Sequence, residues 1–275
     1  MNRIGNAALK LTNPGTTRAL ESRDETLAQR ICKGVKAGEF GVAFQPVVHA
    51  QTLKPLNVEC LLRWHHPEYG LLLPECFLSA FEDRETARVV TAFMLETVCL
   101  RLGELQRDGQ TLSGAAINIQ PSQLLDEALA VTIRDTTRRH GIDPSLLELE
   151  LVATEDTSTL LSTREFTRSL RELGVRLALS DFGSDYSPLA MLGVAQIDTV
   201  KLARKLMARV PGSERDCIVM TGLLDLLDKL AMRVVVEGVE SEAQLSWFKQ
   251  RPDVYVQGYH VARPQANLAD ALAMR

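Results

Sequence analysis

Nine polar residues, Glu59, Arg63, Asn118, Glu150, Asp181, Lys201, Glu237, Glu240 and Gln257, stand at or near the ends of separate apolar runs along the 275-residue chain. Glu, Asp and Asn oxygens with no His or Cys cluster beside them suit Mg²⁺, Mn²⁺ or Ca²⁺ rather than zinc. Acidic ligands together with an Arg and a Lys are what phosphoester chemistry requires. A metal polarises the phosphoryl oxygens and lowers the pKa of the attacking water, while the cations neutralise developing charge. One polar strand end says little, because strand ends meet solvent; many converging on one rim make a site. Asp181 follows the apolar run "VRLAL" and precedes Phe182-Gly183. Its neighbour Ser180 is a neutral hydroxyl where a metal site would hold a second carboxylate. The "DFG" at 181–183 has neither a G-x-G-x-x-G loop nor an H-R-D segment to accompany it, which excludes a kinase.

The elements that must carry these residues alternate in kind. Period-two or continuous apolar runs predict strands over 41–48, 56–64, 114–119, 146–152, 175–180, 197–202, 232–238 and 254–258. Leu27, Ile31 and Val35 have helical spacing, and 87–102 is too long for a strand and reads as a buried helix. A helix over 162–174 is signalled by a capping box in Ser162 and Glu165 and by a terminal Gly174. Further helices fall around 214–231 and 241–249, the latter opened by Ser241 with Gln244 three residues on. Eight strands separated mostly by helices predict a (β/α)₈ barrel over residues 24–275, whose working face is the carboxyl end of its strands. The first two strands are at hairpin distance, so one is expected to run antiparallel to the rest. Residues 1–23, polar and marked by Asn13-Pro14-Gly15, read as a flexible tail.

Composition narrows the class further. A net charge of −4 argues against a duplex-DNA binder. No signal-peptide core and no run of 18 apolar residues occurs, so no membrane contact is expected. Five scattered cysteines without a C-x-x-C pair read as reduced thiols in a cytoplasmic protein. Cys60 reads as a small buried filler, Trp247-Phe248 as core, and His65-His66 as polar residues of a surface loop.

Taken in order, "FQPVV" (44–48), "ECLLRW" (59–64), "INIQPSQL" (117–124), "LELELVA" (147–153), "SDFGSDYSPL" (180–189), "DTVKLAR" (198–204), "VVEGVES" (235–241) and "VQGYHVARP" (256–264) resemble the motifs of the EAL-domain family. These are barrel phosphodiesterases and receptors of cyclic di-GMP, and the resemblance covers roughly residues 25–268. It implies Glu59, Asn118, Glu150 and Asp181 as metal ligands, with Mg²⁺ or Mn²⁺ as the ion of an active member. Lys201 would stand beside the nucleophilic water, Glu237 would bind metal or water, and Gln257 would support the site. Gln45 and Arg63 would contact the nucleotide, Arg63 through phosphate, and Glu240 is retained near them.

Four departures separate the chain from that pattern. Ser180 replaces the first aspartate of D-D-F-G, and Ala153 replaces the glutamate that anchors the following loop. Ser184-Asp185 replaces its flexible T-G, and Ala203 replaces the aspartate of K-I-D. They imply a degenerate member with impaired or absent hydrolysis, dispensing with metal because of Ser180. Such a protein would act as a cyclic di-GMP receptor, as a regulator through an unidentified protein partner, or as both, with a homodimer as a further expectation. The alternatives are an active phosphodiesterase releasing the linear dinucleotide and an interaction scaffold that no longer binds nucleotide.

Overall fold

The structure is a computed structural model that describes residues 25–184 and 189–273; the tail read over 1–23 and Asp185 lie outside them. The Leu27, Ile31 and Val35 spacing yields α1 (Leu27–Lys36), opened by a capping box between Thr26 and Gln29. β1 (Phe40–His49) then pairs antiparallel with β2 (Pro55–His66), Phe40 lying opposite Trp64 and Gln45 opposite Glu59. A short β3 (Gly70–Leu72), not legible as a strand, folds back on the end of β2. It extends β2 beyond the expected loop, so His65 and His66 are strand residues. His66 is buried, its ring 4.9 Å from that of Trp64. The expectation of a surface loop is therefore corrected.

The rest of the chain winds regularly. α2 (Arg84–Arg107) is the buried helix expected around 87–102, followed by β4 (Ala115–Asn118), α3 (Glu127–His140) and β5 (Leu147–Val152). Next come α4 (Glu155–Ser162), α5 (Arg164–Glu172), β6 (Arg176–Phe182), α6 (Leu189–Leu192) and β7 (Thr199–Leu202). The chain closes with α7 (Arg204–Met207), α8 (Glu214–Lys229), β8 (Arg233–Val236), α9 (Glu242–Phe248), β9 (Val254–Val256) and α10 (Leu268–Leu272). The capping box expected of Ser162 and Glu165 does not form. Ser162 is already helical at the end of α4, where its Oγ donates to the Ser158 carbonyl at 2.7 Å. The box of Ser241 and Gln244 does form.

Strands β2 and β4 to β9 run parallel, and β1 closes the ring between β2 and β9, antiparallel to both. The fold is the expected (β/α)₈ barrel, with β3 outside the ring. Period-two alternation divides its layers. On β5, Leu147, Leu149 and Leu151 are fully buried, while Glu148 and Glu150 occupy the opposite face; on β7, Val200 and Leu202 alternate with Thr199 and Lys201. One set packs in the hydrophobic core, and the other carries polar atoms into the barrel interior. Cys60 and Phe248 are buried, and Trp247 packs against the core, as the sequence suggests. No described helix is long and apolar enough to cross a membrane.

Glu39 ties α1 to the first hairpin. Its Oε2 accepts from the indole N–H of fully buried Trp64 at 2.8 Å and from Arg30 Nη2 at 2.7 Å, and the Arg30 guanidinium lies 5.2 Å from the Trp64 ring centre. Glu39→Ala is expected to destabilise the fold by about 1–3 kcal/mol in urea denaturation at pH 7, because the Trp64 donor is left unpaired. Burial acts to raise the Glu39 carboxyl, but the hydrogen bonds from Trp64 and Arg30 and the charge of Arg30 outweigh it and hold the group below its usual 4.5. The stabilisation is thus fully present above 4.5 and lost as pH falls through the folded-state value. The gap between wild type and variant should narrow in acid; a gap that widens there would refute the assignment.

Candidate functional site

At the carboxyl rim, closure of the barrel gathers residues that are far apart in sequence. Main-chain bonds continue past the strand ends and hold them: Ile119 N donates to Glu150 O at 2.9 Å, Glu237 N to Leu202 O at 3.0 Å and Gln257 N to Val236 O at 2.9 Å. Two glycines allow this crowding. Gly238 sits at φ +72°, and a Cβ on Gly258 would fall 2.2 Å from the Val239 carbonyl oxygen.

Lys201 is the hub. Its Nζ lies 2.8 Å from Glu59 Oε2, 2.8 and 2.9 Å from the two oxygens of Glu150, and 2.8 Å from Glu237 Oε1. Glu59 also accepts from Asn118 Nδ2 at 3.1 Å and from Gln257 Nε2 at 2.8 Å. Glu59, Glu150 and Glu237 each place an oxygen within 4.8 Å of the others. Lys201 and Glu150 are almost wholly buried, so these charges interact in a medium that screens them poorly.

That setting drives the proton affinities apart. Burial acts to raise the Glu59 carboxyl, but the Lys201 charge and hydrogen bonds from Lys201, Gln257 and Asn118 hold it below the usual range. Burial pushes Glu150 well above the usual range, with the charge of Glu59 adding to it, and burial raises Glu237 as well. Burial opposes the Lys201 charge, yet Glu150, Glu237 and Glu59 together raise it well above 10.5. The ammonium stays charged, and its carboxylates compete for it.

The other expected residues fall around this hub. Gln45 donates to the Ala262 carbonyl at 3.0 Å and, with Glu59, Glu237, Glu240, Gln257 and Tyr259, lines a cleft of about 270 Å³. Asn118 and Asp181 line a second cavity of about 510 Å³, walled mainly by apolar groups such as Phe81, Val90 and Met94; Leu61 borders both spaces. Arg63 shares the Glu59 face of β2, donates to the Leu62 carbonyl at 2.8 Å, and is half-buried, which lowers its pKa despite nearby Glu75, Tyr259 and Glu59. Asp181 is exposed, at φ +54°, beside a shift in the β6–β7 register, and is not one of the three carboxylates drawn together. Left-handed backbone at a non-glycine residue is sparsely populated.

Ser180 is buried on β6, and its carbonyl accepts from Ala153 N at 2.9 Å; Ala153 and Ala203 are buried too. Three of the four departures are thus small groups packed at the rim. Two residues escaped the sequence reading. Arg204 pairs with Glu240 at 3.0 Å across the mouth of the smaller cleft, and the exposed ring of Tyr259 lies 4.6 Å from the Arg263 guanidinium. The apolar run ending at Leu202 and the Gln257-Gly258 turn were the signals that could have marked them.

The donor set fits a hard divalent cation. Every donor is an oxygen, three are carboxylates, and the Oε1 of Gln257, next to Glu59, is buried without a partner and free to accept from a metal-bound water.

Comparison with known proteins agrees with this geometry. The profile of the EAL domain matches residues 26–264. The chain is 31% identical over 234 residues to the cyclic di-GMP phosphodiesterase RocR of Pseudomonas aeruginosa, covering 85% of this chain and 59% of RocR. It is 29% identical over 238 residues to the cyclic di-GMP phosphodiesterase NbdA of the same species, covering 86% of this chain and 30% of NbdA. The chain therefore spans less than two thirds of the length of these curated relatives. Among solved structures it resembles the PaMucR phosphodiesterase in complex with c-di-GMP, with a TM-score of 0.78 and 26% identity over 89% of this chain and 98% of that one.

Proposed function

The chain belongs to the EAL domain family, and from that premise we propose that it is a degenerate member, a receptor for cyclic di-GMP whose hydrolysis is impaired or lost. The observation that carries this reading is the closed Lys201 cluster beside a buried neutral Ser180. One ammonium already engages all three carboxylates, and the strand end next to them offers only a hydroxyl. A neutral hydroxyl is a far poorer ligand for a hard divalent ion than a carboxylate. Were an ion held by Glu59, Glu150 and Glu237, with Asn118 and Asp181 nearby, it would polarise a phosphoryl oxygen and acidify the attacking water. That retained oxygen set favours the second reading, a weakly active Mg²⁺- or Mn²⁺-dependent phosphodiesterase.

In the receptor, Arg63 supplies positive charge for the phosphates while Lys201 offsets the acids around it, and the two cavities flanking Leu61 receive the bases. Replacing one carboxylate by Ser180 lessens the repulsion an anionic ligand would meet. A protein partner and a homodimer belong to the same proposal. Exposed Ile218 and Val219 on α8, with Leu189 and Val194 at α6, support pairing of two copies. Neither duplex DNA nor a membrane is a partner in this reading, and the scattered free cysteines support a cytoplasmic location for it.

The test is chromatography for linear dinucleotide after incubation with Mn²⁺ or Mg²⁺, alongside calorimetry in EDTA. Binding without product supports the receptor; turnover within an order of magnitude of an intact family member replaces it with the enzyme, and neither signal leaves a scaffold. Arg63→Ala is expected to weaken cyclic di-GMP binding roughly 10- to 100-fold, the equivalent of about 1.5–3 kcal/mol for a hydrogen bond to a charged group. Unchanged affinity in the calorimeter would remove Arg63 from the ligand site.

A further inference from the structure

We propose that His66 is an acid-sensitive latch: its neutral ring holds the turn between β2 and β3, and protonation frees that turn and one wall of the larger cavity. The inference makes no use of the receptor reading and goes beyond it.

Three observations carry it. The ring Nδ1 of His66 accepts from two main-chain donors, Glu68 N at 3.2 Å and Tyr69 N at 3.3 Å. An acceptor at Nδ1 leaves the neutral imidazole its proton on Nε2, and a second proton at Nδ1 would point at both donors and break both bonds. At Asp126 and Asp143 a carboxylate closes a turn in the same way, bonding Ala128 N and Ser145 N. Those acids stay charged near neutrality, whereas an imidazole titrates between about pH 5 and 8. The ring is also fixed in place. His66 is buried, and its ring centre lies 4.9 Å from that of Trp64 and 5.0 Å from that of Tyr69. Finally, the turn leads straight to the cavity. β3 pairs back on Trp64, His65 and His66 and runs into Pro74–Cys76, where Pro74 and Glu75 line the space of about 510 Å³.

The charged groups facing the ring are Arg30 on α1, Glu39 ahead of β1 and Glu68 in the turn. Burial, and then the Arg30 charge, lower the His66 pKa from 6.5 against the opposing pull of Glu39 and Glu68. With a lowered folded-state value, the latch is fully present above 6.5 and is lost as pH falls through that value.

The test is amide hydrogen exchange of wild type and His66→Asn, read residue by residue by NMR as protection relative to the amides of β7. An Asn Oδ1 takes the place of His Nδ1 and accepts the same main-chain bonds without titrating. In wild type, protection at Glu68 and Tyr69 is expected to fall at least about tenfold between about pH 7.5 and about pH 5, and in His66→Asn to stay level. Cys76, whose N–H donates to the Leu73 carbonyl at 3.0 Å, should follow the turn. Glu39, held below 4.5, keeps its charge across this range. No loss in wild type, or an equal loss in the variant, overturns the proposal. Loss confined to Glu68 and Tyr69, with Cys76 still protected, overturns the link to the cavity wall. Should the variant fail to fold, the imidazole ¹⁵N shifts of wild type decide. Protonation of His66 that tracks the loss of protection supports the latch. Protection lost while the ring stays neutral, or a protonated ring with the turn still protected, overturns it.

Discussion

Ser180→Asp is expected to raise hydrolysis of cyclic di-GMP by at least about 10- to 100-fold in the presence of Mn²⁺, the range typical of losing even an outer partner of a metal ligand. Ser180 is buried at the end of β6, with its carbonyl bonded to Ala153 N and its strand paired to the one carrying Glu150. A carboxylate there adds a fourth acid to a group now balanced against one ammonium, which strengthens its hold on a divalent ion. Chromatographic detection of the linear dinucleotide is the measurement. If Ser180→Asp gives no product but Ser180→Asp with Ala153→Glu does, anchoring of the following loop is the second defect. If neither gives product although Mn²⁺ binds, the missing carboxylate is not what separates this chain from an active phosphodiesterase.

At the opposite end of the barrel, Glu148→Ala is expected to destabilise the protein by about 3 kcal/mol, the lower end of the range for breaking a buried ion pair. Glu148 is 1% exposed; its Oε2 lies 3.3 Å from Arg176 Nε and 3.5 Å from Arg233 Nη1, and accepts from Thr199 Oγ1 at 3.2 Å. The lower end applies because both arginines keep some solvent contact. The Arg176 guanidinium lies against Gly114, where a Cβ would come within 2.2 Å of its Nη2. For a chain of this size the change lowers Tm by roughly 6–12 °C. Calorimetric melting checks it, and a shift under about 2 °C would mean that solvent compensates both arginines. Nucleotide binding should be unchanged, since Glu148 and the rim occupy opposite ends of the same strands.

The barrel and most of its rim were legible because the signals are local. Alternation along β5 and β7, helical spacing in α1, and motifs arriving in order each depend on neighbours within a few residues. α3 was missed for a local reason too. Its inner face carries Leu129 and Ile133 but then Thr136 and Thr137, so half the stripe lacks an apolar signature. The start of α5 was misplaced because Ser162, a good cap in isolation, is already committed to α4.

The sequence by itself determined the fold class, an antiparallel strand among the first two, the family and the residues from which any site must be drawn. Only the tertiary structure decided how they meet. Lys201 and Glu59 are 142 residues apart, and Gln257 and Glu59 are 198 apart. Their contacts exist because β1 closes the ring between β2 and β9 in one register. The same closure assembles Glu148, Thr199, Arg176 and Arg233 from four strands into a cluster that no stretch of sequence announces. It also separates residues that look alike on paper. Glu150 is drawn into the centre, whereas Asp181, one strand over and on a left-handed backbone, lines the neighbouring cavity and stays outside the three-acid cluster. Side-chain chemistry is written residue by residue, but distance and burial, which set charge and competition for a proton or an ion, are properties of the closed barrel.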